Sequence, residues 1–158
     1  MKRVLAVLSM VLMMGLATGV LAAPAGAAAK TRTIHFHDVS FTEKDVNPCS
    51  GVKGTFTATI NGVIHITKLP SGQGHFTSTT TGTFTFVPKS PSEPNYTGHF
   101  TAWDGGNKNL QNLTFTATFS FHATGSDGSR ISGHEVAHFS VSASGVKVSF
   151  DKANLNCG

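Results

Sequence analysis

His134-Glu135-Val136-Ala137-His138 match the H-E-x-x-H pattern of zinc proteases. In those enzymes a helix brings the two histidines onto one face, close enough to share a zinc ion, with the glutamate as general base. The flanks here argue against a helix. Ser129–Gly133 and Ser140–Gly145 are rich in Ser and Gly, while Ile131, Ala137, Phe139, Val141 and Ala143 keep a period of two. On a strand, His134 and His138 share a face but stand roughly 13 Å apart, too far to bind one zinc. No His or Glu follows His138 to serve as third ligand. The protease reading is therefore rejected.

The elements that must position these side chains are strands. In Leu113–Ala123, Leu113, Phe115, Ala117, Phe119 and Phe121 alternate with Thr114, Thr116, Thr118, Ser120 and His122. The same alternation marks Thr55–Ile60, Gly74–Ser78, Thr83–Val87 and Tyr96–Trp103, each with one apolar and one hydroxyl-rich face. Strands are expected over 31–38, 54–60, 63–68, 74–79, 83–88, 96–103, 111–124, 130–143 and 146–151. Turns are expected at Asn61-Gly62, Thr81-Gly82, Asp127-Gly128 and Ser144-Gly145, with a Pro-rich loop over Pro88–Pro94. Short sequential strands joined by tight turns predict an all-β, single-domain antiparallel β-barrel of about eight or nine strands in up-and-down hairpins, with a β-sandwich as the alternative.

Turn chemistry fixes registers. A three-residue loop at Ser126-Asp127-Gly128 sets Phe115 opposite Phe139, Ala117 opposite Ala137 and Thr118 opposite Val136. Thr80-Thr81-Gly82 would set Phe76 opposite Phe86, and Ser144-Gly145 would set Phe139 opposite Phe150 and Val141 opposite Val148. A turn at Asn61-Gly62 is discordant, because it puts His65 on the face of Phe56 and Ala58.

In these registers His122 lies diagonal to His134, which makes the pair a metal-binding candidate. His99 joins them on the hydroxyl face of a neighbouring strand, and His35 and His37 share a face. If that face lined a lumen, the histidines would form a titratable pocket. Turned outward, they decorate a surface. Glu135 has the parity of the apolar face, opposite Phe119, where a carboxylate could act as an acid–base group. A sheet-edge position or an off-by-one register is the alternative for it. Trp103, in a loop expected over Trp103–Asn107, suits stacking on a sugar. His99, Trp103, His122, His134 and Glu135 are thus the candidate ligand-binding residues. No catalytic constellation, phosphate-binding loop, paired-Cys metal knuckle or cofactor motif is present.

Composition separates the first 27 residues from the rest. Lys2-Arg3, the apolar stretch Val4–Leu21 and the small residues ending in Ala25-Gly26-Ala27 follow the plan of a secretory signal peptide. Residues 28–158 are then the single all-β domain, about one-third hydrophobic, with ten basic side chains against eight acidic. That near balance argues against nucleic-acid binding. No further segment is long and apolar enough to span a membrane. A secreted, extracellular location makes a Cys49–Cys157 disulfide the expected state of the two cysteines.

Asn47-Pro48-Cys49-Ser50-Gly51, the Thr/Phe hairpins, Ser126-Asp127-Gly128-Ser129-Arg130 and the C-terminal cysteine resemble uncharacterised secreted all-β proteins of actinobacteria. The resemblance implies a secreted, disulfide-closed β-domain and carries over no activity or functional residue. The leading expectation is a non-enzymatic binding domain for a small molecule or a cell-surface component, its phenylalanines filling the core or lining a lipophilic cup. The alternatives are a small barrel enzyme of the isomerase or cyclase type and a histidine metal-binding protein.

Overall fold

A computed structural model describes residues 28–158 apart from Leu110 and Ala143, with backbone alone at Lys147 and Val148. The leader expected at Met1–Ala27 lies outside the described residues. Seven strands follow one another: β1 (Lys30–Val46), β2 (Lys53–Lys68), β3 (Gly74–Pro88), β4 (Tyr96–Lys108), β5 (Asn112–Gly125), β6 (Arg130–Ser142) and β7 (Gly145–Asn156). They form one antiparallel sheet in sequence order. The all-β, up-and-down architecture is thus as expected. Among the described residues β1 and β7 do not pair, so the sheet is not closed.

Among the described residues there are seven strands instead of eight or nine, because two expected turns are strand interiors. Asn61-Gly62 lies within β2 and Thr81-Gly82 within β3, where Asn61 pairs with Thr81. These glycines make room for aromatic rings. Gly62 stands opposite Phe36, Gly82 opposite Phe100, Gly98 opposite Phe84, Gly106 opposite Phe76 and Gly133 opposite Phe121. A β-carbon at Gly82 would sit 2.7 Å from the Phe100 ring, and one at Gly106 2.7 Å from the Phe76 ring. Cross-strand aromatics covering glycine support a strongly curved sheet. Asn61 also holds the neighbouring strand: its Oδ1 accepts a 3.0 Å hydrogen bond from the Asp38 N–H, at the β1 irregularity between Phe36 and Val39.

Continuous strands correct two registers. Phe76 faces Ile66 and Gly106, not Phe86, and His65 takes the hydroxyl face, away from Phe56 and Ala58. A third register slips, by two residues at Val141 and by one at Phe139. Ser142 pairs with Gly145 and an irregularity follows at Ser140/Val141, so Phe139 meets Ser149, Val141 meets Val146, and Phe150 meets His138. The Ser126-Asp127-Gly128 loop forms as expected, with Gly128 at φ 86°, and sets Phe115 opposite Phe139 and Thr118 opposite Val136.

Every strand sends alternate residues to one face, where Ala58, Phe86, Tyr96, Phe100, Phe121, Ala123 and Ile131 form a buried cluster packed by Phe41, Phe56, Phe84, Phe119 and Leu155. Burying one such aromatic contributes roughly 1.5–3 kcal/mol. For β1 and β7 to share this core the sheet must curl. The disulfide gives an independent measure of that curl. Cys49 follows β1 and Cys157 follows β7, yet their Cα atoms are 5.8 Å apart. A flat sheet would separate β2 from β7 by about 24 Å, at roughly 4.8 Å per strand.

The loop that presents Cys49 is built by Asn47. Its buried Oδ1 accepts hydrogen bonds from the N–H groups of Cys49 (2.9 Å) and Ser50 (3.3 Å). Gly51, at φ 76°, closes the turn by donating to the Asn47 carbonyl at 2.9 Å. One end of the curled sheet is therefore stitched, and the opposite end, where β1 begins, carries no such bond.

Candidate functional site

The hydroxyl-rich face is the outer one. Cross-strand pairs tile it: Ser40 with Thr59 (2.8 Å), Thr42 with Thr57 (3.1 Å) and Thr31 with Thr67 (3.1 Å). His99, His122 and His134 are exposed there, which overturns the lumenal version of the histidine pocket. His99 and His122 are direct cross-strand partners with ring centroids 5.5 Å apart. His134 is diagonal to His122, as the register required, and its Nδ1 lies 2.7 Å from Ser120 Oγ in a hydrogen bond. Ser120, His122, Ser132, His134, Asn154 and Asn156 border a surface dent of about 160 Å³. Among the described residues no three His, Cys, Asp or Glu side chains converge to hold a metal ion.

The H-E-x-x-H residues sit in the middle of β6, with His138 bonded to Thr116 Oγ1 at 2.7 Å and stacked on Phe150. Trp103 lies within β4, not in a loop. It is 41% exposed on the outer face between Thr79 and Thr118, with its ring over Gly105.

Glu135 is on the inner face opposite Phe119 and only 4% exposed, which corrects the sheet-edge alternative. It belongs to a polar layer whose other members were not among the sequence candidates. Thr80 and Ser78 on β3 are 3% and 4% exposed, and Asp104 on β4 pairs with Ser78. Burial pushes the Asp104 carboxyl up to about 6, because removal from water penalises the charged form. The signal for Asp104 was its parity: Tyr96, Phe100 and Ala102 are all even-numbered, and the period continues through Gly105-Gly106.

This layer divides the interior into unlike halves. Toward the stitched end, Phe56, Phe84, Phe86, Tyr96, Phe119 and Phe121 leave a gap of only about 80 Å³. Toward the open end, β1 to β5 enclose a cavity of about 480 Å³. Its apolar wall is Ile34, Ile64, Ile66, Phe76 and Leu113. Lys30, Arg32, Lys68 and Lys108 line its outer rows, where Lys30 pairs with Lys68 and Arg32 with Ile66. Ser78 and Asp104 occupy the same cross-sheet row as Ile34 and Ile64, at its inner end. None of these lining residues was among the candidates read from the sequence. The chemistry on offer is an apolar container of small-molecule size with a few polar groups.

The chain matches no family model, no curated protein and no solved structure in comparisons with known proteins. Among the described residues no helix is long and apolar enough to cross a membrane.

Proposed function

We propose that this chain is an exported, non-enzymatic binding domain that holds a small, largely apolar molecule in its open-end cup. The observation that carries the reading is the 480 Å³ cavity walled by Ile34, Ile64, Ile66, Phe76 and Leu113, beside a core that is otherwise filled with aromatic rings. A volume of that size is in the ordinary range for small-molecule sites. Export is supported by the leader pattern of Met1–Ala27 and by the Cys49–Cys157 disulfide, a bond that persists in oxidising surroundings.

The neutral, environment-sensitive dye Nile red tests the reading. Its fluorescence is expected to rise and saturate on titration with the full domain. Leu113→Trp, which fills the cup, is expected to weaken binding at least tenfold. Trp103→Ala, on the outer face, is expected to leave it unchanged, and circular dichroism checks that both variants keep the β-fold. Dye binding that ignores Leu113→Trp, or no binding by the folded parent, contradicts the proposal.

A further inference from the structure

Resting on the cup reading, we infer that the cup's ligand is an amphipathic anion, held tail-inward with its negative headgroup among Lys30, Arg32, Lys68 and Lys108. All four cations lie at the open ends of their strands with the parity of the inner face, so they line the same cavity as the isoleucines. No carboxylate lines the cavity with them; Asp104 stands in the row at its inner end. From the row Thr33–His65–Thr77–Gly105–Thr116–His138–Phe150 outward, segments 30–33, 65–77, 105–116 and 138–150 contain no Asp or Glu, and Asp104, Glu135 and Asp151 lie deeper along the strands. Around the stitched end, by contrast, Lys44, Lys53, Lys89 and Arg130 are matched by Glu43, Asp45, Glu93 and Asp127. A near-neutral domain thus concentrates unbalanced positive charge at one cavity mouth.

Gathering like charges raises the energy of the empty site, and an anion at the mouth relieves that repulsion. The wall behind the cations is apolar, so an inorganic anion alone would leave the cup unfilled. A neutral lipid would fill the cup and leave the cations unmatched. A free, monomeric amphiphile with a carboxylate, sulfate or phosphate headgroup satisfies both. The polar layer at the inner end, with Ser78 and Asp104, sets the depth to which an apolar tail can descend.

Three amphiphiles of one tail length distinguish this inference from the broader reading: dodecanoate, dodecanol and dodecyltrimethylammonium, each kept monomeric, displacing Nile red from the full domain. Dodecanoate is expected to bind at least tenfold more tightly than dodecanol and to outcompete the cation by more, with the preference shrinking as salt is added. In the double variant Lys68→Gln/Lys108→Gln the ratio of dodecanoate to dodecanol affinity is expected to fall severalfold. Equal displacement by all three leaves the cup reading standing and overturns the anion. A preference that survives the double variant also overturns it, and so does binding to anionic lipid vesicles without dye displacement. If neither dye nor amphiphile binds, the cup reading itself fails.

Discussion

At the scale of single residues, parity decides more than residue type. Histidine, glutamate and tryptophan drew attention because their side chains can do chemistry, yet His99, His122, His134 and Trp103 all project from the outer face. Asp104 and Glu135 project inward by the same alternation that buries Phe100 and Phe121. Asp104 gives a pH prediction. Its carboxyl titrates at about 6 when folded and near 3.8 in an ordinary setting, because burial disfavours the charge. The folded state therefore holds this proton over a pH range in which the unfolded chain has lost it. Stability is greatest below the lower value, falls as pH rises between the two, and levels off above the higher. Asp104→Asn removes that contribution. The gap in urea midpoint between variant and parent is expected to widen from pH 4 to pH 7 in favour of the variant, and a gap independent of pH would contradict this origin of the shift.

At the scale of elements, glycine explains both what was legible and what was not. Strand identity and the β5–β6 register were readable because alternation and the Asp127-Gly128 turn agree; the turn is pinned by Ser129, whose N–H and Oγ donate to Asp127 Oδ1 at 2.9 and 2.6 Å. Those hydrogen bonds also hold the Asp127 carboxyl below its usual range. Asn61-Gly62 and Thr81-Gly82 carry the same dipeptide signals for another reason. Their glycines receive the Phe36 and Phe100 rings within continuous strands, a long-range requirement that no local window reveals. Phe56, Ala58, Ile60, Ile64 and Ile66, on both sides of Gly62, nevertheless share one parity, with Val63 the exception, and that continuity could have shown a single strand. Gly82→Ala is accordingly expected to destabilise the domain by about 1–3 kcal/mol, the usual cost of overpacking, in denaturant unfolding. Phe100→Leu in the Gly82→Ala background is expected to cost less than in the parent, a coupling seen in a double-mutant cycle. Strict additivity would mean that the ring and the glycine do not share space.

At the scale of the whole molecule, two ends with different roles emerge from one sheet. The disulfide closes a loop spanning 108 residues and contributes about 4–5 kcal/mol in the chain-entropy model, at the end where the aromatic core is also densest. The opposite end holds a cavity lined by four cations. None of this was available from composition, because the excess of two basic residues in 28–158 conceals where the charges fall. The cup, moreover, exists only once β1 to β5 curl together. A cross-linked end and a hollow end are what the proposed capture of a small molecule requires. The most direct test is an amide-resolved NMR titration of the whole domain with dodecanoate. Saturable shifts are expected at Ile34, Ile64, Ile66, Phe76 and Leu113, with Phe86, Tyr96 and Ile131 at the stitched end little changed. Shifts confined to the outer histidine face, or spread evenly over the sheet, would contradict binding in the cup.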